Sequence, residues 1–451
     1  MSQLKMIGHQ DDASDLLDLA GIGIGPFNLS LAALLDSLPN TRAGFYDKNS
    51  QFAWHPGLLF PDSILQTSFL KDLVTPVQPT NPHSFTNFLV SHKRFYDFLA
   101  GRFTGVSRLE FNAYLAWAAQ RIDSLNWDHQ AQSISFKDSA FTVDFGNGKN
   151  VRARNLSLGI GMSANIPAWA QTHMGTSCIH AGHYLNHKLE TAGKRIAVIG
   201  GGQTGAEIVL DLLSNPSVEP HHVSWISNLP RFSPLEEGGF VDQVFTPNYV
   251  ESYQSMGPEQ QAFEFAGQKL ASDGLTPVTV DALYKEIYKR THLVSQKGGI
   301  SLLPSRNAVA LSHNGSHYDL VCQQIIGDVK ESHSVDIIIL ATGASPKLPQ
   351  FLEDLKPRLD LDERGLPKLD DAYEIQWDGP SQNKIFGLNM GLRSHGIVDP
   401  QMSLMAWRSA KIINRLMDKE IFETTAGHSL VDWSPQINSN ANYGETSCLA
   451  S

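Results

Sequence analysis

The chain has 451 residues, of which 41% are hydrophobic and 18% are charged, and its formal net charge is −11 at pH 7. Its length predicts two or three domains, and its composition is that of an ordinary globular protein. The acidic balance and the lack of a Lys/Arg-rich block argue against a nucleic-acid-binding surface. Cys178, Cys322 and Cys448 are too scattered for a disulfide framework or a metal cluster, so no metal site is expected.

Both ends of the chain are polar. Residues 1–14 are predicted to form a flexible arm, and residues 426–451 a polar tail. The N-terminus lacks the apolar segment of a signal peptide, and no later stretch approaches the ~18 apolar residues of a membrane span. We therefore expect a cytoplasmic protein with no membrane span.

The first feature that carries chemistry is a glycine-rich turn between a strand predicted at 16–20 and a helix. Glycines let the backbone turn sharply and approach a pyrophosphate, which binds at the positive end of the helix. The next predicted strand, at 43–47, ends in an acidic residue, where dinucleotide folds place the carboxylate that binds a ribose hydroxyl. The residues predicted to bind this first cofactor are Gly21, Gly23, Gly25, Pro26, Asn28 and Asp47.

A second glycine-rich turn of the same kind follows a strand predicted at 195–199. The residues predicted to form its pyrophosphate turn are Gly200, Gly202, Gln203 and Gly205. The strand after it ends without an acid, and Ser227, Asn228 and Arg231 occupy that region instead. An acid repels a 2′-phosphate, whereas hydroxyls and arginine bind one, so this site is predicted to prefer NADPH over NADH.

Two such turns in one chain imply two dinucleotides held face to face, as in hydride transfer from a nicotinamide to a flavin. The predicted fold is α/β, with two Rossmann-like domains and the NADPH domain inserted in the FAD domain. The predicted boundaries are 15–185 and 331–425 for the two parts of the FAD domain and 190–330 for the NADPH domain. Disulfide reductases share this plan, but the chain has no CxxC pair. Reduced flavin would then react with oxygen, which predicts a monooxygenase.

The chain resembles the flavin-dependent N-hydroxylating monooxygenases of siderophore biosynthesis, most closely the L-lysine N6-hydroxylase branch. The matching segments are GIGIGPFNLS at 21–30, WHPG at 54–57, QTSFLKDL at 66–73, PTNP at 79–82, GGGQTG at 200–205, TP at 246–247, SDG at 272–274, LPSR at 303–306, ATG at 341–343, HG at 395–396 and MAWR at 405–408. The resemblance implies that NADPH reduces FAD, that O2 gives a C4a-hydroperoxyflavin, and that the terminal amine of a small aliphatic substrate is hydroxylated for a hydroxamate siderophore. It also implies a homo-oligomer, since the family tends toward tetramers.

The resemblance implies roles for further residues. Trp54, His55 and Gln66 would line the flavin ring, with Gln66 between flavin and nicotinamide, and Lys71 would contact the substrate carboxylate. Gln66 and Lys71 are the predicted catalytic residues, and the substrate-binding set adds Thr246 and Asn389. Thr342, Gly343 and Ser403 are predicted to bind cofactor. Residues close to the last helix that would approach the flavin ribityl chain and substrate are Asn389, His395, Asp399, Gln401 and Ser403.

The chain departs from the ornithine-hydroxylating branch at two substrate contacts. Thr246 stands where that branch has the Asn of an FNP segment, and Leu275 aligns with the Asn of a TNY segment. Ala344 also replaces the Tyr that usually follows the ATG turn. Ornithine is therefore not expected. Lys71 favours L-lysine, because it would repel a second ammonium group, whereas the lost Asn contacts favour cadaverine or, less strongly, putrescine; these alternatives stay open.

Two other functions are compatible with paired dinucleotide sites. A Baeyer–Villiger or flavin-containing-type monooxygenase, which oxidises carbon or sulfur, carries an FxGxxxH-like linker. Gly175, His180 and His183 imitate it only in part, with the wrong glycine spacing and no leading Phe. A flavin-binding regulator without activity is the second alternative, and the intact turns at both sites argue against it.

Overall fold

The computed structural model describes residues 16–293 and 299–433. Its strands, in chain order, are β1 (Leu16–Ile22), β2 (Ala43–Tyr46), β3 (Leu125–Asn126), β4 (Ser133–Lys137), β5 (Ala140–Asp144), β6 (Asn150–Leu158), β7 (Ser163–Ala164), β8 (Cys178–His180), β9 (Arg195–Ile199), β10 (His222–Ile226), β11 (Gly299–Leu303), β12 (Arg306–His313), β13 (Tyr318–Gln324), β14 (Lys330–Val335), β15 (Ile337–Leu340), β16 (Ala344–Ser345) and β17 (Ile385–Gly387).

The helices, in the same order, are α1 (Pro26–Leu35), α2 (Phe85–Ser91), α3 (Phe95–Gly101), α4 (Arg108–Ala119), α5 (Gln203–Ser214), α6 (Gly239–Asp242), α7 (Pro247–Ser255), α8 (Pro258–Gly267), α9 (Lys269–Asp273), α10 (Pro277–Tyr288) and α11 (Met405–Leu416). A π-helical turn, Lys289–Leu293, extends α10. No helix among the described residues has the length and apolar character needed to cross a membrane.

The first sheet is built around β1 and β6. Strands β3, β2, β1 and β6 lie side by side and parallel, with β5 and β4 continuing the sheet in antiparallel fashion. Strand β6 pairs with β5 along its first half and with β17 near its end. Residues of the C-terminal segment thereby complete a sheet begun by the N-terminal segment, as predicted for a domain interrupted by an insertion.

Helices α1 and α11 pack together on this sheet. Almost every residue of α1 is buried, and the Ser409 hydroxyl on α11 donates to the Ser30 hydroxyl on α1 at 3.0 Å. Leu29, Leu34 and Ile413 belong to the same apolar core. Because α1 begins at the glycine turn, this packing fixes the orientation of the turn.

The second sheet is parallel throughout, in the order β11-β10-β9-β15-β8. This order is that of a dinucleotide-binding unit, with β9 and α5 in the positions of β1 and α1. The predicted fold class, with two Rossmann-like units in one α/β chain, is confirmed.

The second sheet contains one strand on each side of the range predicted for the NADPH domain, 190–330. Cys178 and Ala197 both pair with Ile338, so β8 and β15 belong to the second sheet although the sequence assigned them to the FAD domain. Pairing between residues so far apart in the chain leaves no local signal in the sequence. We propose that the second unit spans about 178–340.

Helices α6 to α10 occupy most of residues 239–288. Pro247, Pro258 and Pro277 each occupy the first turn of a helix, where the missing N–H costs nothing and the fixed φ favours the helix. Proline therefore starts α7, α8 and α10 instead of interrupting them. Strands β12, β13 and β14 form a separate antiparallel sheet, which packs through Leu320 against the second parallel sheet.

Candidate active site

One cavity of about 1340 Å³ lies between the two glycine turns. It exceeds the ~300–1,000 Å³ usual for a single small ligand, as a site for two dinucleotides requires. The predicted site residues that line it are Gly25, Pro26, Asn28, Trp54, His55, Gln66, Gly200, Gly202, Gln203, Asn228, Thr342, Gly343 and Asn389. The fold therefore brings together segments from both units and from the C-terminal part of the chain that completes the first sheet.

The first glycine turn is held by backbone contacts. Gly23 has φ +86°, and a methyl group there would overlap the Gly159 carbonyl oxygen. Asn28 is fully buried, donates to the Gly23 carbonyl oxygen at 2.7 Å and accepts from the Ser157 hydroxyl at 2.6 Å. Its amide therefore holds the turn against β6, and the direct cofactor contact stays a prediction.

The N-terminus of α1 is open to the cavity. Gly25 is the N-cap, no side chain of the described residues caps the helix, and a methyl group on Gly25 would meet no atom within 4 Å. Free first-turn N–H groups at a positive helix end form an anion site. The residues present therefore fit the pyrophosphate of a dinucleotide.

Asp47 stands at the end of β2, as predicted. Its Oδ2 accepts from the Ile24 backbone N–H at 2.7 Å, and its Oδ1 accepts from the Asn49 N–H at 2.8 Å. The carboxylate thus anchors the glycine turn, and the ribose contact stays a prediction.

The second glycine turn repeats this geometry. Gly200 has φ +132°, a methyl group on it would overlap the Ala341 carbonyl oxygen, and Gly202 forms the open N-cap of α5. Gln203 lines the cavity, but its amide is engaged within the protein. Its Nε2 donates to Glu207 at 2.9 Å and its Oε1 accepts from the Thr276 N–H at 2.8 Å. Gln203 therefore ties α5 to the start of α10.

The loop residues predicted to line the flavin ring meet at the cavity wall. His55 adopts a left-handed conformation with φ 47°, which turns the chain at Trp54 and directs both residues to the cavity. Burial lowers the pKa of His55, and the nearby Arg108 charge lowers it further. Asn389, also left-handed at φ 65°, has a buried Oδ1 with no partner among the described residues. It is available to a bound ligand.

Lys71 does not line the main cavity. Its Nζ donates to the Phe245 carbonyl oxygen at 3.3 Å, and burial lowers its pKa, an effect partly offset by the Asp242 charge. Thr246, the next predicted substrate residue, follows Phe245 and bonds through its hydroxyl to the Gln243 carbonyl oxygen at 2.7 Å. Two segments predicted to bind the substrate are therefore adjacent.

The residues before the last helix divide into two groups. Gln401 lines the cavity, and the buried Ser403 hydroxyl bonds to the Thr67 hydroxyl at 3.2 Å beside it. His395 and Asp399 are fully buried and do not line the cavity, so their approach to flavin and substrate stays a prediction. His395 stacks on Tyr373 with ring centroids 3.9 Å apart.

Asp399 forms an ion pair with Arg408 at 3.2 Å, and its Oδ2 accepts from the Gly391 N–H at 2.8 Å. Arg408 also lies 4.3 Å over the Phe27 ring at the start of α1. This buried cluster links the loop before α11 to the first glycine turn. Its residues stabilise the packing of these two segments.

Several predicted residues lie behind the cavity wall. A methyl group on Gly21 would overlap Phe45, and one on Gly205 would overlap the Gly200 carbonyl oxygen, so both glycines permit close packing. Leu275, aligned with an ornithine-contacting Asn, is buried in the second core. The predicted site residues that do not line the cavity are Gly21, Gly23, Asp47, Lys71, Gly205, Ser227, Arg231, Thr246 and Ser403.

Three charged residues that line the cavity are not among the predicted site residues. Arg108, the first residue of α4, forms an ion pair with Glu207 on α5, across the two units. Arg306, at the start of β12, also lines the cavity. Arg108 lies in none of the matching segments, Glu207 follows the second glycine turn on α5, and Arg306 ends the LPSR match.

Two facing dinucleotide sites on paired Rossmann-like sheets define the class of two-dinucleotide oxidoreductases. A model of the L-lysine 6-monooxygenase/L-ornithine 5-monooxygenase family matches residues 15–346. The chain belongs to this family and is therefore a flavin-dependent N-hydroxylating monooxygenase. The resemblance found in the sequence is confirmed.

Individual relatives are similar over nearly their whole length. The L-lysine N6-monooxygenase of Escherichia coli is 39% identical, over 92% of this chain and 98% of that protein. The putrescine N-hydroxylase of Acinetobacter baumannii is 28% identical, over 94% and 95%. The FAD-bound crystal structure of the desferrioxamine-pathway cadaverine monooxygenase of Erwinia amylovora is 28% identical, with a TM-score of 0.84, over 92% of this chain and 98% of that one.

Proposed function

We propose that this protein hydroxylates the terminal primary amine of L-lysine or cadaverine, using FAD, NADPH and O2, for the biosynthesis of a hydroxamate siderophore. The observation that supports this most directly is one cavity with a glycine-turn helix at each end, at Gly25 and Gly202, neither of which has a side-chain cap among the described residues. Family membership favours this reaction over the carbon- or sulfur-oxidising alternative.

The two cofactors are assigned to the two turns. FAD would be held at the turn around Gly25, with Asp47 at its ribose and Trp54, His55 and Gln66 along its ring. NADPH would be held at the turn around Gly202. When bound, the flavin supplies the oxidising chemistry, so the protein has to position the substrate, exclude water and hold its protons.

The protein must also present a neutral amine, since only that form has a free electron pair. An alkyl ammonium with a pKa near 10.4 is about one part in a thousand neutral near pH 7.5, a deficit of roughly 4 kcal/mol. Burial disfavours the charged form. Burial and the Arg108 charge lower the pKa of His55, so this part of the cavity wall disfavours a positive charge. The same surroundings would favour loss of a proton from an ammonium placed beside them.

Lys71 and Asp242 suit the other end of an amino acid. Lys71 has the charge to hold an α-carboxylate, and Asp242 lies close enough to influence the pKa of Lys71. A carboxylate beside an ammonium complements a zwitterion better than it complements a second bare ammonium. This supports L-lysine over cadaverine, while the 28% identity to a cadaverine enzyme keeps cadaverine as the alternative.

The proposal is tested by incubating purified FAD-loaded enzyme with NADPH and, in parallel, lysine, cadaverine, putrescine and ornithine. We expect hydroxylamine formation with lysine or cadaverine and little with ornithine. Oxidation of a thioether or ketone without amine turnover would favour the alternative monooxygenase. We also propose a cytoplasmic homo-oligomer, tetrameric by family resemblance, which light scattering tests.

A further inference from the structure

Arg306 lies where a dinucleotide fold binds the adenosine ribose, at the carboxyl end of the second strand, here β10. Its backbone N–H donates to the Ser227 carbonyl oxygen at 2.9 Å, and the Ser305 N–H donates to the Leu229 carbonyl oxygen at 2.8 Å. The Ser227 N–H in turn donates to the Leu303 carbonyl oxygen at 3.0 Å. These bonds join the residues after β10 to the start of β12.

Arg231 is placed differently. Its side chain is exposed, its Nε donates to the Ser233 hydroxyl at 3.0 Å, and it is not among the residues that line the cavity. Arg306, Asn228 and Asn307 do line it. The positive charge at the ribose end of the second site therefore comes from β12, a strand outside the parallel sheet.

The Arg306 guanidinium is fixed from one side. Nε donates to Glu331 Oε1 at 3.1 Å and Nη1 donates to the Pro304 carbonyl oxygen at 2.8 Å. Nη2 has no hydrogen-bond partner among the described residues, and 26% of the side chain is exposed. Glu331 also accepts from Gln324 Nε2 at 2.6 Å, so its charge is shared with another donor. An oriented guanidinium with a free edge is suited to bind a phosphate.

We propose that Arg306, together with the amides of Asn228 and Asn307, binds the 2′-phosphate of NADPH and sets the preference for NADPH over NADH. Arg231, selected from the sequence, is then a peripheral residue. The inference rests on the proposed function only in assigning NADPH to the second turn. The phosphate would sit between the loop after β10 and the first residues of β12.

The test is calorimetric binding of 2′,5′-ADP and of 5′-AMP to the FAD-loaded enzyme. We expect Arg306→Ala to weaken 2′,5′-ADP binding ~10- to 100-fold, as for loss of a charge-assisted hydrogen bond, with 5′-AMP binding changed less than about threefold. Arg306→Lys keeps the charge but lacks the planar set of N–H donors. Its affinity for 2′,5′-ADP should therefore lie between those of the wild type and of Arg306→Ala. Arg231→Ala is the matched comparison and should change 2′,5′-ADP binding less than about threefold.

Three outcomes would overturn the inference. One is a loss of 2′,5′-ADP binding in Arg231→Ala but not in Arg306→Ala. Another is an equal loss of both nucleotides in Arg306→Ala and Arg306→Lys, which shows a general structural effect. The third is wild-type protein that does not distinguish the two nucleotides. Nucleotide binding is measured without an amine, so failure of the hydroxylation proposal would leave this result intact.

Discussion

Arg108 on α4 and Glu207 on α5 form an ion pair that joins the two dinucleotide-binding units across the cavity. Glu207 is buried and also accepts from Gln203, which is bonded to the backbone of Thr276. The pair therefore connects the flavin-side helix α4 to the glycine turn of the second unit. It sets how the two cofactor sites face each other.

Breaking this ion pair should slow hydride transfer. For Glu207→Gln and Arg108→Met we expect flavin reduction by NADPH to fall ~10- to 100-fold, because small misplacements of reacting groups carry costs of this size. FAD content, read from flavin absorbance, should be retained. Stopped-flow reduction measures the rate, and the exchanged pair Arg108→Glu with Glu207→Arg should recover part of it. Wild-type rates in both single variants would show that the pair does not position the units.

Lys71 should distinguish lysine from cadaverine. Lys71→Met removes the charge proposed to hold the α-carboxylate, so kcat/KM for lysine should fall ~10- to 100-fold, the range for a charge-assisted hydrogen bond. Turnover of cadaverine, which has no carboxylate, should change little. Lys71→Arg keeps the charge and is the matched control. Equal losses for both substrates in Lys71→Met would contradict a carboxylate contact.

Gly200 and Gly238 form a matched pair for the second glycine turn. Both have strongly positive φ, at +132° and +126°, but only Gly200 has a neighbour, Ala341, that a methyl group would overlap. Gly200→Ala should abolish NADPH-dependent flavin reduction and leave FAD bound, whereas Gly238→Ala tests backbone strain alone and should reduce the rate far less. Similar losses in both variants would mean that strain, not the close approach, explains the effect.

His395 should make stability depend on pH. Burial, and then the Arg408 charge, lower the pKa of His395 to about 3 in the folded protein, against an ordinary value of 6.5. The unfolded chain therefore binds the proton first as pH falls below about 6.5. Below pH 6.5 the free energy of unfolding then falls by about 1.4 kcal/mol per pH unit, which amounts to ~2 kcal/mol at pH 5.

Urea unfolding between pH 7.5 and pH 5 measures this. On going from pH 7.5 to pH 5, the free energy of unfolding should fall by about 2 kcal/mol less in His395→Phe than in the wild type. The phenylalanine keeps a ring against Tyr373 and has no proton to gain. His428→Gln, at an exposed histidine, should follow the wild type. The same pH dependence in His395→Phe and wild type would contradict a neutral buried His395.

The parts of the fold that the sequence predicts are those encoded locally. The strand–glycine–helix units around Gly23 and Gly200 were placed within a few residues, because glycine spacing, apolar strands and helix starts are short-range signals. Pro247 begins α7, and a proline by itself does not tell whether a helix begins or ends there.

Contacts between distant segments were not predictable. The pairing of Cys178 with Ile338 places β8 and β15 in one sheet, and the Arg108–Glu207 pair joins two helices with no shared motif. Arg306 likewise reaches the second dinucleotide site from β12, which contacts the residues after β10 although it lies about 80 residues later in the chain. Motif spacing identifies one strand, turn and helix at a time, whereas these residues become neighbours only when sheets assemble.

The reaction proposed for this protein is the oxygenation of a terminal amine. The direct measurement is mass spectrometry of the product formed from L-lysine and from cadaverine by the FAD-loaded enzyme with NADPH and isotope-labelled dioxygen. We predict one labelled oxygen atom on the terminal nitrogen of at least one of them, with fragmentation placing it there. NADPH consumption that yields only hydrogen peroxide with both amines, or label found on a carbon atom of the product, would contradict hydroxylation of the terminal amine.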